Sequence, residues 1–176
     1  MFERLIELLA GGWDYIAPFV VVDAYEYAVI LRFGRYHRTN EPGFCWKIPL
    51  AERAIGVNSC TTTLRLAPQS LTTKDEAAVV VSAIVKYKIA DPRPYVIEVW
   101  DQIDVLADVT MGAIARQVRL LNATELFSDP PEKPVAAAVR RQVARYGFEV
   151  EAVTFTDAAR AKSLRLVAPH GKDLAN

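Results

Sequence analysis

Cysteine and histidine are scarce in this chain: two of each among 176 residues. Cys45 and Cys60 cannot build a disulfide framework, and their spacing matches no metal site. Each sits in a strand-like stretch and reads as a small apolar residue, although a bridge between the two stays open. His37 lies by a turn and His170 near the C-terminal end, both without a ligand-spaced His, Cys or carboxylate, so both read as surface residues. Net charge is lacking too. Lys and Arg number 21 and so do Asp and Glu, which leaves no bulk field to recruit nucleic acid or an acidic partner. No glycine-rich phosphate loop, nucleophile elbow or zinc-protease motif occurs, and Ser70 and Ser82 have no evident base. The reading is a protein without catalytic residues, metal or cofactor, and not an enzyme.

Also missing is a secretory leader, because Glu3, Arg4 and Glu7 stand where a basic start and an unbroken apolar run would be. A reducing, cytoplasmic setting is expected. A spanning helix needs about 20 nearly uncharged apolar residues. The first segment, residues 1–22, is broken by Gly11, Gly12, Asp14 and Pro18 and falls short of that. It is nevertheless apolar along one helical face: Phe2, Leu5, Ile6 and Leu9 recur at three and four, followed by Trp13, Tyr15, Ile16 and Phe19. Two readings fit this periodicity equally. One is an amphipathic segment lying in a membrane interface with Trp13 and Tyr15 at headgroup depth; the other is a helix docked on the domain's own core.

What is plentiful is apolar sequence, 52% of the chain, enough to exclude disorder and to support one ordinary domain or two small ones sharing a core. From about Asp23 the apolar period is two. Tyr27 to Phe33 reads as a strand apolar on both faces, Arg38 to Gly43 as a turn, and Phe44 to Ile48 as a strand stopped by Pro49. Ile55 to Val57 and Cys60 to Leu66 follow, the latter closed by Pro68. After a polar turn at Thr72 to Glu76, the clearest strand of all runs from Val79 to Ile89 and ends at Asp91-Pro92. Residues 23–90 are thus expected to form an antiparallel meander.

Residues 91–157 are expected to be helical with a closing strand. Pro94 suits a helix start, with Val96, Val99, Ile103 and Leu106 continuing it. A second helix passes through Ile114, Val118 and Leu121. Ser128 to Pro131 separates it from a third, on which Val135, Val139, Val143 and Tyr146 oppose Arg140, Arg141 and Arg145, and Gly147 ends it. Phe148 to Phe155 reads as a strand, and a short helical tail occupies residues 158–176. Those arginines, with Arg116 and Arg119, suit phosphate, lipid headgroups or acidic subunit surfaces, and equally the wet face of a helix. Asn122-Ala123-Thr124 matches a glycosylation sequon, which a cytoplasmic setting leaves silent.

Five motifs then depart from generic patterning. They are Tyr27 to Tyr36 with its Arg32-Phe33-Gly34-Arg35 ending; Glu41-Pro42-Gly43-Phe44 leading to Lys47-Ile48-Pro49; Thr73-Lys74-Asp75 before the valine-rich strand; Tyr87 to Pro92 with its Asp91-Pro92 exit; and Tyr146-Gly147-Phe148-Glu149-Val150 with Phe155-Thr156-Asp157. In this order they closely resemble SPFH (band 7; stomatin, prohibitin and flotillin) domains over roughly Val21 to Asp157. The residues themselves suggest structural duties. Pro42-Gly43 fits a type II turn, Gly34 relieves a crowded backbone, and Pro49 and Pro92 punctuate elements. Arg32, Arg35, Lys74 and Asp75 suit either subunit pairing or solvated strand ends.

The resemblance implies an α+β SPFH fold, a membrane-associated scaffold on the cytoplasmic face, homo-oligomers in rings or cages, and regulation of a membrane protease or channel. The family's usual anchor, a hairpin or full span, is here a short broken segment, and its long heptad-bearing helix has no counterpart before the chain ends. An open ring or smaller oligomer is therefore expected. The alternative is a soluble structural component of a larger protein or virion assembly, with the first helix packed on protein.

Overall fold

Two β-rich layers and a helical cover make up the described residues, 17–161, of the computed structural model, which is α+β as expected. β2 (Glu26–Arg32) is the centre of the first sheet, flanked by β3 (Arg35–Asn40) and β5 (Glu52–Asn58), both antiparallel. β1 (Phe19–Val22) and β4 (Gly43–Trp46) form a separate two-stranded ribbon. The ribbon lies over one face of the sheet, where Val22 packs with Ala28 and Ile30, and Val20, Cys45 and Ala54 close around them. The opposite face, carrying Val29 and Val57, packs on Ile89, Tyr95 and Val96. Consecutive residues Val29 and Ile30 are both fully buried for this reason. A strand apolar on both faces is the sequence signature of a sheet covered on both sides.

The second sheet is organised by β8 (Ala78–Ile89), whose burial alternates residue by residue as its sequence alternates. β6 (Thr62–Arg65) and β7 (Gln69–Thr72) pair successive halves of one edge, and β9 (Phe148–Arg160) pairs the other along its whole length. Val79, Val81, Ala83 and Val85 pack in one cluster with Leu106, Ile114 and Val118 of α2 (Gln102–Val118), Leu126 of α3 (Ala123–Ser128) and Val135, Val139 and Val143 of α4 (Glu132–Val143). α1 (Pro92–Ile97) follows β8 directly.

Several boundaries differ from the sequence expectation. Arg38 to Asn40 continue β3 rather than turning, because the hairpin turns earlier, at Phe33-Gly34. Those two residues have φ of 50° and 78°, the double positive φ of a type I′ turn, whose twist matches that of the flanking strands. Gly43 does take positive φ, 129°, but as the first residue of β4. β4 pairs with β1, so Phe19 to Val22, expected within the N-terminal segment, are a strand of the domain. β7 was not expected. The first two expected helices are redistributed: α1 stops at Ile97, and α2 runs without interruption from Gln102 to Val118, uniting Ile103 and Leu106 with Ile114 and Val118. β9 extends through Ala158 to Arg160, where the tail helix was expected, because β8 still offers Val79 to Val81 as partners.

Candidate functional site

In the β1–β4 ribbon the strand alternation turns Val20, Val22 and Cys45 inward. Phe19, Val21, Phe44 and Trp46 therefore face out. Phe19 stacks on Phe44 with ring centroids 5.3 Å apart, and Phe44 meets Trp46 edge-on at 5.5 Å. Trp46 is 65% exposed. The apolar run continues along the chain through Ile48 to Leu50, which is 83% exposed. Beside it is the tip of the β2–β3 hairpin, tied to the Leu50 loop by a bond from the Phe33 N–H to the Ala51 carbonyl at 2.9 Å. Phe33 is 81% exposed. Both tips hold a bulky residue in the left-handed region, Phe33 at φ 50° and Leu50 at φ 62°. Such residues avoid that region, and holding them there costs on the order of 1–3 kcal/mol each. Two strained apolar side chains projected into solvent, continuous with an aromatic strip, form a surface built for contact.

Directly behind the tips lies a carboxylate with no exposure at all, that of Glu52. Its Oε1 accepts from Arg32 Nε at 2.9 Å and Nη2 at 2.6 Å, and its Oε2 accepts from the Ile48 N–H at 3.0 Å and Arg38 Nη2 at 3.3 Å. His37 Nε2 stands 3.8 Å from Oε1. Burial pushes this carboxyl up, but the Ile48 N–H, the Arg32 bond and the two guanidinium charges outweigh it and hold the group below the usual range. The convergence has a backbone cause. The β2–β3 register slips between Ile30 and Leu31, leaving His37 as the extra residue of a bulge, so neighbouring His37 and Arg38 both reach Glu52. Arg38 also donates to the Trp46 carbonyl, tying the cluster to the aromatic ribbon.

The later motif residues join other elements. Asp91 caps α1 by accepting from the Arg93 N–H at 3.0 Å, with Pro92 at the first helical position. Gly147, at φ 85°, lies against it: the Ala90 and Asp91 N–H groups donate to its carbonyl at 2.9 and 3.2 Å, and a Cβ there would come within 2.0 Å of the Asp91 oxygen. Asp75 accepts from the Thr73 hydroxyl at 2.5 Å and from the Ala123 N–H at 3.0 Å, which fastens the β7–β8 turn to the start of α3. Chiefly the Thr73 hydroxyl, then the Ala123 N–H, keep that carboxyl below its ordinary range despite some desolvation. The Lys74 N–H donates to Leu121 O at 2.9 Å. Pro49 sits in the loop carrying Leu50, and Pro42 between β3 and β4. The motifs are buckles of the fold, with Arg32, Phe33, Gly34 and Pro49 also shaping the apolar end.

The family model for the SPFH domain / Band 7 family matches residues 20–165. The chain belongs to that family. Among curated proteins, this SPFH chain is 30% identical over 152 residues to an uncharacterized protein of Archaeoglobus fulgidus, covering 84% of this chain and 60% of that one. It is 29% identical over 139 residues to a stomatin homolog of Pyrococcus horikoshii, covering 78% and 52%. To the protein HflK of Vibrio cholerae it is 33% identical over 113 residues, covering 64% and 28%. The chain thus spans little more than half, or less, of these relatives' lengths.

Sequence reasoning placed the contact residues on Phe2, Leu5, Ile6, Leu9, Trp13, Tyr15, Ile16 and Phe19. All but Phe19 lie outside the described residues. It did not single out Phe44, Trp46, Ile48 or Leu50, nor the exposure of Phe33. The available signal was Phe44 and Trp46 alternating with Cys45 in a strand too short to be covered on both faces. Among the described residues no helix is long and apolar enough to cross a membrane, and no three His, Cys, Asp or Glu side chains group around a metal-sized site.

Proposed function

We propose that this SPFH chain is a membrane-associated, self-assembling scaffold on the cytoplasmic face that organises membrane patches and regulates a membrane protein such as a protease or channel. The observation that carries the membrane part is the aromatic ribbon face with the Phe33 and Leu50 tips. Aromatic side chains with an apolar body suit headgroup depth, and strained apolar tips gain from being withdrawn from water. Phe19, in the described part of the N-terminal segment, belongs to the same surface, paired with Trp46. Membership in the family supports the scaffold part, as does the amphipathic pattern from Phe2 to Ile16.

The test is flotation with phospholipid vesicles, comparing the intact protein with a Phe44→Ser/Trp46→Ser pair. Removing two interface aromatics is expected to weaken partitioning by well over tenfold, since each buried aromatic is worth about 1.5–3 kcal/mol and every 1.4 kcal/mol is a factor of ten. Unchanged partitioning, or an intact protein that ignores vesicles and is crosslinked through this face to a protein neighbour, would replace the membrane reading with the soluble-assembly one.

A further inference from the structure

Resting on that membrane reading, the cations around Glu52 go one step further: we infer that they form a binding site for the phosphate of an anionic phospholipid. Arg32 and Arg35 are paired directly across the hairpin tip, so their side chains share one face of the sheet. Arg38 and Glu52 share it too, Arg38 opposite Ile30 and Glu52 opposite Arg32. Three arginines therefore share the face of the sheet on which the Glu52 carboxylate lies, with His37 beside it. Like charges placed directly opposite each other destabilise a hairpin, and here Glu52 engages Arg32 and Arg38 but not Arg35. Among the described residues the Arg35 side chain makes no ion pair or hydrogen bond.

Geometry favours an anion over a second carboxylate partner from within the fold. Glu52 is sealed, while Arg32, His37 and Arg38 keep 34–38% of their side-chain surface open. Arg32 uses Nε and Nη2 on Glu52, which leaves Nη1 to a further acceptor. Guanidinium forks are suited to phosphate oxygens, and Glu52 fixes two of them before any ligand arrives. Position supplies the lipid part. Phe33 directly follows Arg32, and Leu50 is two residues before Glu52, so apolar tips entering the acyl boundary bring the cluster to headgroup level.

The experiment measures partitioning of the full chain onto phosphatidylcholine vesicles with and without phosphatidylglycerol, at fixed ionic strength. The intact protein is expected to prefer the phosphatidylglycerol vesicles by at least tenfold. Arg35→Gln is expected to reduce that preference roughly fivefold, the worth of one arginine near an anionic surface. It removes no internal bond, so folding is not at issue. Arg53→Gln is the control: it makes the same charge change on the opposite face of β5, paired with Leu31, and is expected to leave the preference intact. Equal partitioning onto both vesicles overturns the headgroup site while the membrane reading stands. An Arg53→Gln loss equal to that of Arg35→Gln also overturns it, in favour of bulk charge. Binding of soluble glycerol phosphate as tight as vesicle binding would reassign the site to a free phosphate ester. Absence of partitioning onto either vesicle removes both readings together.

Discussion

Phe33 stands in a position where the backbone wants asparagine or glycine. Both central residues of the β2–β3 turn have positive φ, and Asn-Gly is the preferred pair for such a turn. Phe33→Asn is therefore expected to stabilise the domain by about 1 kcal/mol, raising Tm by roughly 2–4 °C, and to weaken vesicle partitioning about tenfold. Thermal unfolding and flotation on the same variant check both signs. A variant that loses stability would show that Phe33 is a packing residue rather than a projected one. This trade of stability for contact surface was not legible in the sequence. Arg32-Phe33-Gly34 announced a turn, but φ at Phe33 depends on where pairing starts, and that is set by the bulge at His37, four residues further on. The Glu52 cluster was hidden for the same reason. Arg32, Arg38 and Glu52 are 6 and 14 residues apart along the chain and converge only through strand register.

Elements, by contrast, were largely readable where both ends of a strand or helix are specified locally. β8 carries strict alternation and an Asp91-Pro92 stop, and α4 carries a valine stripe followed by a 3-10 turn that Gly147 ends. Pairings between remote elements were not, as β4's choice of β1 over its sequence neighbour β3 shows. The buckles between elements give two further predictions. Gly147→Ala places a Cβ against the Asp91 carbonyl in a left-handed residue, so it is expected to destabilise by about 3 kcal/mol or more, a Tm loss of roughly 6–12 °C. Scanning calorimetry decides it.

The second concerns acid. Asp75 and Glu52 both have folded-state pKa values below their ordinary ones. The unfolded chain therefore takes up protons first, near pH 4, and stability increases with pH through that window. It is fully present above the unfolded values and lost as pH falls through the folded ones. Tm is expected to be flat above about pH 5 and to drop below about pH 4. Asp75→Asn, less stable near neutrality, should show a shallower acid limb. An acid limb as steep as the parent's would remove Asp75 from the account.

At the scale of the whole molecule, the resemblance carried by five short motifs identified the fold, and the family match over residues 20–165 agrees with it. The later motifs are joints, whereas the first two contribute Phe33, Phe44 and Ile48 to the candidate contact surface. A further exposed feature lies on the far side of the first sheet. Ile55, Val57, Tyr95, Val96 and Val99 line an apolar groove of about 330 Å³, with Trp100 at its rim and 99% exposed. A projecting indole beside a groove of the same patch suits a two-fold contact between copies, each indole entering the other's groove. Trp100→Ala is expected to lower the oligomeric mass seen by light scattering while leaving vesicle partitioning of the monomer unchanged. An unaltered mass distribution would move self-association elsewhere.

The unequal edges of β8 also bear on how this chain reaches its native state. One edge is satisfied early, by β6 and β7 only a short loop away, but the other waits for β9, whose first residue is 59 positions beyond Ile89. Closing that distance is the slow, high-contact-order step, and β9 is also made after its partner β8 and the helices between them. Until it docks, a 12-residue strand rich in valine has its hydrogen-bonding edge open. Nascent or truncated chains ending before Phe148 are thus the form of this protein most in need of a chaperone, and the form expected to aggregate when released without one.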